Sequence, residues 1–397
     1  MTSSKLKIAV FDGMAQAQRK NSFVGGMEVV SRSQARYLSD SGHEVVYVVT
    51  QDSDKNLMWE GFPVVYTNQP AKDPLRRQGI STLNYNKNFF NDVLRILDKI
   101  QPDVAIFQRI YPFGAKGRVE SLPCPSMFFE HSLPEYLGQN MIKFPEVADR
   151  IHDNGHILVC VSEYARNRYN EKVKREIIYD SCSIQVVKDN PTEIFPHENY
   201  GLVISRWCPL KNPSKAFEMF ADKDNGLGLK VFTSQLDTKL EYGDKFPKYA
   251  SMNFPGSVDI SLDTEHNVIM ENAKKATFHI TTCLHESSGI VSLEAATYGV
   301  PNIAFCSKGS HATENHIMKG HNFLVNISEY KGVKKQKDRF WDIVRNIDYS
   351  LEKRKELAEY TQREFSPERF AQRHEVLLGK ISGNVIKKGG LEDFYGS

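Results

Sequence analysis

The chain has 397 residues, 40% of them hydrophobic and 25% charged, with a formal net charge of +2. That length suits two to three domains, each with its own core, and the composition excludes a disordered or fibrous chain. Near-neutrality excludes a global field for a polyanion, so an acidic partner must be met by a local patch.

The six cysteines (Cys124, Cys160, Cys182, Cys208, Cys283 and Cys306) are scattered without Cys-x-x-Cys spacing. They imply a reducing, cytoplasmic setting without disulfides or zinc. Ile8–Phe11 is too short for the apolar core of a signal peptide and ends at Asp12. No window approaches the ~18 apolar residues of a membrane-spanning helix.

In chain order, apolar strand-like runs alternate with helix-like segments. The first set is Lys7–Phe11, Glu44–Val49, Val104–Phe107, Ser126–Phe129 and Ile157–Val161. Between the first two, Met27, Val30, Tyr37 and Leu38 fall within about 100° of arc on one helix. Gly25 and Gly26 precede that helix and let backbone amides approach a ligand closely. Phe11 is followed by Asp12, Gly13 and Met14, not by Gly-x-Gly-x-x-Gly, which argues against a nicotinamide dehydrogenase. His131 ends the run Phe128-Phe-Glu-His at a strand tip, where it could hydrogen-bond a sugar hydroxyl. Basic residues gather after first-half strands: Arg19 and Lys20, Lys72 with Arg76 and Arg77, and Arg109 with Lys116 and Arg118. Loops after parallel strands face one crevice, so these could hold the phosphates of an acidic acceptor such as DNA. Scattered surface charge is the alternative.

Asp189–Asn199 carries two prolines and no periodicity, and the domain boundary is placed there. The second set of strands is Gly201–Ile204, Leu229–Phe232, Met252–Phe254, Ala276–Ile280 and Asn302–Phe305. Arg206 and Lys211 follow the first of these, and a fork plus a point charge suits a diphosphate. After Ala276–Ile280 comes Glu286-Ser-Ser-Gly-Ile-Val-Ser-Leu-Glu294, ending at Gly299 and Pro301. Ser287 or Ser288 can cap a helix there, leaving the amides of Gly289 and Ile290 as an anion site. Glu286 and Glu294 would lie about 12 Å apart if the span were wholly helical, one on each side of a diphosphate. Ser366 and Pro367 then open a last helix through Phe370, His374, Leu377, Leu378 and Ile381, followed by a loose polar tail. The alternation argues for two doubly wound α/β domains, residues 1–190 and 191–365, with residues 366–397 crossing back to the first.

These features together resemble the retaining glycosyltransferases of GT-B fold known as family 4 or group 1. The resemblance is carried in order by Gly25-Gly26 with Gly42-His43, by His131, by Val161-Ser-Glu163, by Arg206 with Lys211, and by Glu286 to Glu294 with Gly299-Val-Pro301. It implies two Rossmann-like domains facing across a cleft and a metal-independent enzyme with a nucleoside-diphosphate sugar, a UDP-sugar foremost, as donor substrate and no cofactor. It further implies that Arg206 and Lys211 hold the diphosphate and stabilise the leaving group. Glu286 and the Ser288–Gly289–Ile290 backbone hold the sugar, and Glu294 the ribose. Gly26 contacts the diphosphate, His131 lies near the sugar, and Gly25, Ser257 and Val258 complete the donor site. The chain departs from the family pattern at Ser205 and at Asn212, where glycine is usual. A more distant similarity, in the Arg206-Trp207 spacing and compact second domain, is to phage enzymes that glucosylate modified DNA bases. That similarity makes a hydroxymethylated DNA base one acceptor, and a glycan, lipid or small molecule the alternative. A nucleotide-sugar epimerase of GT-B fold and a non-catalytic sugar-nucleotide binder are the other readings.

Overall fold

A computed structural model describes residues 5–12, 26–51, 58–59, 62–70, 82–108, 118–131, 144–170, 178–179, 194, 196–208, 211–220, 226–233, 258–283, 285–307 and 311–382. The expected strand Met252–Phe254, most of the boundary segment and Cys182 lie outside them. The chain divides into two compact units. Among the described residues, the first unit comprises Lys5 to Tyr179 and Pro367 to Ser382, the second Ile194 to Ser366.

The first unit is built on β1 (Lys7–Asp12), β2 (Glu44–Gln51), β3 (Met58–Trp59), β4 (Phe62–Pro70), β5 (Val104–Phe107), β6 (Ser126–Glu130), β7 (Ile157–Cys160) and β8 (Ile178–Tyr179). They form one sheet in the order β3-β4-β2-β1-β5-β6-β7-β8, parallel throughout except for the β3–β4 hairpin. The connecting helices include α1 (Gly26–Asp40), α2 (Thr82–Ile100), α3 (Phe144–Asp153) and α4 (Glu163–Asn170). A parallel sheet with crossover helices is covered on both faces, so its central strands read as unbroken apolar runs. Every residue of β5, β6 and β7 is buried.

The second unit repeats the plan. Strands β9 (Tyr200–Ile204), β10 (Gly228–Thr233), β11 (Val258–Leu262), β12 (Phe278–Thr281), β13 (Asn302–Cys306) and β14 (Asn322–Asn326) are all parallel, in the order β11-β10-β9-β12-β13-β14. Its helices include α5 (Ser214–Phe220), α6 (His266–Lys275), α7 (Ile290–Ala296), α8 (Thr313–His316), α9 (Val333–Asn346) and α10 (Leu351–Glu364). One face of the sheet packs on Phe340, Trp341, Ile343 and Val344 of α9, with Phe278 edge-on to Phe340 at 5.8 Å. None of the described helices is long and apolar enough to cross a membrane.

The last helix, α11 (Pro367–Ile381), belongs to the first unit. Its Phe370, Leu377, Leu378 and Ile381 join the core made by Ile8, Val10, Tyr47 and Val159. A polar latch reinforces this packing. The Leu6 amide donates to His43 Nδ1 at 3.2 Å, which leaves the ring proton on Nε2 to donate to Glu375 Oε1 at 2.7 Å.

Gly299 ends the turn after α7 at φ +73, and the carbonyl of its neighbour Tyr298 accepts from the buried Arg354 guanidinium at 3.3 Å. A Cβ at Gly299 would stand 2.2 Å from the Arg354 carbonyl oxygen, whereas one at Gly320 (φ +90) would meet nothing within 4 Å. Gly320→Ala therefore carries only the left-handed backbone cost of about 1–2 kcal/mol. Gly299→Ala adds a clash with main chain and should lower the urea midpoint by distinctly more. Equal midpoint shifts would contradict this packing.

Candidate active site

Ligands of open parallel sheets collect beyond the strand C-termini where the strand order reverses. In the second unit that point lies between β9 and β12, which pair through Gly201 and Phe278. Arg206 and Lys211 follow β9, and Glu286 follows β12, so the topology brings those sequence-distant charges together.

The loop after β9 is tightly fixed. Trp207 is buried against Phe217 of α5, with ring centroids 5.2 Å apart. The amides of Lys211 and Asn212 donate to the Cys208 carbonyl at 3.0 and 2.9 Å. Asn212 has φ +44, the left-handed conformation that a glycine would take most easily, so it keeps the turn that the usual glycine would provide. Its Oδ1 accepts from the Ser214 hydroxyl at 3.0 Å as α5 begins. The Thr282 hydroxyl, just past β12, donates to the Lys211 carbonyl at 2.7 Å and ties the two strand tips together.

The Lys211 ammonium donates to Glu286 Oε2 at 2.5 Å, with side chains 26% and 13% exposed. Burial alone would raise the Glu286 pKa, but Lys211, His311 and the Gly289 amide outweigh it and hold it down to about 2. Glu286 is thus a fixed anion. Burial likewise opposes the Lys211 charge, and the Glu286 carboxylate reverses that effect and raises its pKa. Arg206 is exposed and acts on Lys211 as a like charge.

The start of α7 differs from the sequence reading. Neither Ser287 nor Ser288 caps it. The N-cap is Gly289 in the left-handed conformation, φ 68 and ψ 33, with no side-chain cap. The helix begins only at Ile290, so Glu286 lies outside it, and the Gly289 amide already serves the Glu286 carboxylate. The anion at this turn is therefore the protein's own. A side chain at Gly289 would meet Thr313 Cγ2 at 2.8 Å. Glu294, on α7, is 5% exposed. Burial raises its carboxyl to about 8, and His266 Nε2 lies 3.6 Å from Oε1.

The sequence pattern does not single out His311. Its backbone bridges Glu286, and the Ala312 amide donates to the Glu286 carbonyl at 3.0 Å. The ring is 1% exposed, its Nδ1 accepts the Thr313 amide at 3.3 Å, and burial lowers its pKa to about 4. Its Nε2 finds no hydrogen-bond partner among the described residues. The available signal is positional: His311 follows β13, the strand beside β12. Beneath the site Thr281, Ser292 and Asn302 form a buried polar network, with Thr281 Oγ1 2.9 Å from Ser292 Oγ and donating to Asn302 Oδ1 at 2.8 Å.

The remaining sequence-assigned residues are dispersed. Ser288 and Ile290 flank the Gly289 turn and are half-buried. Val258 is the first residue of β11 and packs against the second-unit core. In the first unit Gly26 opens α1 and His131 follows β6. Arg118 is half-buried, its guanidinium 5.4 Å from the Phe90 ring centroid. Arg19, Lys20, Gly25, Arg76, Arg77, Arg109, Lys116 and Ser257 lie outside the described residues.

Solved structures share this architecture. Sucrose-phosphate synthase from Thermosynechococcus elongatus matches with a TM-score of 0.75 at 14% identity, over 96% of this chain and 100% of that one. Anabaena HepE in complex with UDP and glucose matches at 0.71 and 14%, over 94% and 99%. WaaG, a glycosyltransferase involved in lipopolysaccharide biosynthesis, matches at 0.64 and 11%, over 93% and 99%. The fold is that of the GT-B glycosyltransferase structures, with two Rossmann-like units. Residues 24–180 match the family model Glycosyltransferase Family 4. No curated protein matches the sequence.

The protonation of Glu294 sets a pH dependence. Between the ordinary carboxyl value of 4.5 and about 8, the folded chain holds a proton that the unfolded chain has released. Raising pH through that window therefore favours unfolding. Buried His279 and His311, both lowered to about 4, give the opposite slope at the acid end. Comparison with Glu294→Gln isolates the carboxyl. In urea titrations from pH 5 to 8, the variant should gain stability relative to wild type as pH rises. A constant difference would refute a protonated Glu294.

Proposed function

We propose that the protein is a retaining, metal-independent glycosyltransferase that moves a sugar from a UDP-sugar to a hydroxyl acceptor. The observation that carries this reading is the Lys211–Glu286 pair at the topological switch point of the second sheet, with Arg206 exposed beside it. The UDP and glucose bound by HepE, which has the same fold, support the choice of donor.

In this reading Arg206 and Lys211 meet the diphosphate. Lys211 has two donors left after Glu286, and the exposed guanidinium fork of Arg206 has five. As the bond from the sugar to the diphosphate breaks, negative charge grows on the leaving oxygen, and these cations stabilise it. Glu286, held ionised, accepts from sugar hydroxyls. Glu294 contacts the ribose, His131 the sugar and Gly26 the diphosphate. The acceptor hydroxyl attacks from the face the leaving group vacates, so anomeric configuration is retained without an enzymic nucleophile. A nucleotide-sugar epimerase would instead convert donor in the absence of acceptor, whereas this reading expects only slow hydrolysis.

Removing one charged donor from a developing oxyanion typically costs about a hundredfold in rate. Arg206→Ala and Lys211→Gln should each lower turnover of UDP-sugar by at least about tenfold, while addition of EDTA should leave wild-type turnover unchanged. Glu294→Gln should weaken binding of bare UDP, and Glu286→Gln should chiefly impair use of the sugar. Wild-type rates in folded Arg206→Ala and Lys211→Gln proteins would exclude the diphosphate assignment. A larger loss of UDP affinity in Glu286→Gln than in Glu294→Gln would reverse the polarity of the site.

The acceptor we propose is a hydroxymethylated base in DNA, because Arg19, Lys20, Arg76, Arg77, Arg109, Lys116 and Arg118 gather in segments that follow first-half strands. Each phosphate bound contributes about −0.9 to the slope of log affinity against log salt. About three such phosphates give a slope near −3, and neutralising Arg76 and Arg77 should flatten it by about one unit for each phosphate no longer bound. Absence of binding to a hydroxymethylated duplex at about 50 mM salt, in a preparation that hydrolyses donor, would point to a glycan, lipid or small-molecule acceptor.

A further inference from the structure

A buried donor beside the Lys211–Glu286 pair has no hydrogen-bond partner among the described residues. It is Nε2 of His311, two residues before α8 and 1% exposed. The ring's other nitrogen, Nδ1, is held by Thr313, whose amide lies at 3.3 Å and whose hydroxyl lies at 2.7 Å. An amide N–H can only donate, so Nδ1 accepts. Burial lowers the ring's pKa to about 4, so at neutral pH it carries one proton, and that proton is on Nε2. Buried groups of this kind are nearly always paired, because an N–H stripped of water and left unmet is costly.

The backbone brings this donor to Glu286. His311 and Glu286 form an isolated parallel bridge, closed by the Ala312 amide donating to the Glu286 carbonyl at 3.0 Å. Bridged backbones run about 4.8 Å apart, and residues opposed across a bridge carry their side chains on the same side. Thr313, which fixes the ring, and Glu286 also close in on one point of the Gly289 turn. A Cβ there would stand 2.8 Å from Thr313 Cγ2 and 3.7 Å from Glu286 Cγ. Burial raises the Glu286 pKa; of the groups that lower it, Lys211 comes first and His311 second. The hydrogen bonds on that carboxylate come from Lys211, at 2.5 Å, and from the Gly289 amide. A carboxylate has about four lone-pair sites, so Glu286 keeps room for a further donor. At 1% exposure His311 is out of reach of bulk water, and a neighbouring side chain is the acceptor it can find.

We propose that His311 is a positioning residue, a reserve donor for Glu286: as a diphosphate draws the Lys211 ammonium toward itself, the His311 Nε2–H closes on the carboxylate that Lys211 loosens. The trigger rests on the proposed placement of the diphosphate at Lys211; the hand-over from Lys211 to His311 does not. A largely buried carboxylate that loses its cation is driven to take up a proton, and a protonated Glu286 would accept from fewer sugar hydroxyls. The imidazole prevents this with a dipole rather than a formal charge, and it leaves the positive field at the diphosphate to Arg206 and Lys211. The fixed tautomer makes the ring ready. With Nδ1 spent on Thr313, the one atom that His311 has to offer is a donor.

The test is a long-range proton–nitrogen correlation spectrum of the full-length protein with labelled histidine, His311 being assigned by comparison with His311→Gln. Wild type should show a neutral ring with its proton on Nε2. Saturating UDP should move that proton downfield, as a new hydrogen bond to an anion does, and Glu286→Gln should abolish the shift. Lys211→Met, which has no donor at that position, should show the downfield proton without UDP. An Nδ1–H ring in wild type overturns the proposal. So does a His311 proton that stays in place when UDP binds wild type, that still moves when UDP binds Glu286→Gln, or that keeps its wild-type position in folded Lys211→Met. If UDP does not bind wild type, it is the placement of the diphosphate at Lys211 that fails, and the Lys211→Met spectrum still decides the hand-over.

Discussion

The ion pair between Lys211 and Glu286 is the interaction around which the second unit's site is built. Two charges removed from most of their water are tolerated only when each satisfies the other and neighbouring dipoles complete the shell. Here the ammonium, the Gly289 amide and His311 together keep a largely buried carboxylate ionised. That requirement dictates the local backbone. Asn212 and Gly289 both adopt left-handed conformations, one on each side of the pair, and Thr282 bonds the Lys211 carbonyl to close the gap between their strands. Main-chain turns on both sides of the pair and the Thr282 bond thus hold the segments that carry the two side chains, the kind of pre-organisation a site for a developing oxyanion would need.

The two glutamates of this segment show how completely surroundings decide protonation. Glu286 sits beside a cation and is held to about 2; Glu294, eight positions on, has burial without a compensating cation and is raised to about 8. Identical side chains thus enter the free protein in opposite states. One is a committed acceptor. The other is a carboxylic acid at neutral pH, able to donate until a ligand or a base takes its proton.

How much of this could be read from sequence follows from burial. Strands β1, β2, β5, β6, β7, β9, β12 and β13 lie inside their sheets and announce themselves as mainly apolar stretches. Edge strands are half-covered and do not: β11 alternates polar and apolar residues, and β14 is flanked by asparagines. Helix α9 follows Gly332 without a side-chain cap, whereas α10 carries the usual serine signal, Ser350 accepting from the Lys353 amide, yet hides Arg354 on its buried side. That Arg206, Lys211 and Glu286 would come near one another was legible because each closely follows an apolar strand. The cap of α7 was not, since serine is the commoner capping residue and only the left-handed turn reveals glycine in that role. Nor were the contacts of His374 with Gln34, Gln34 with Gln108 and Gln108 with His131, which come together only through the strand order β2-β1-β5-β6 and the return of α11.

The return of α11 has a consequence for biosynthesis. Phe370, Leu377, Leu378 and Ile381 are part of the same core as Ile8 and Val10, yet the whole second unit separates them along the chain. Synthesis from the N-terminus presents β1 through β8 with one flank of their sheet uncovered until α11 has been made. The second unit, contiguous in sequence among the described residues, can collapse first. The first must wait, its apolar surface exposed for the time needed to synthesise the residues between Tyr179 and Pro367, and contacts of such long sequence separation form slowly. Truncation before Pro367 would therefore strand an incomplete core rather than trim a tail.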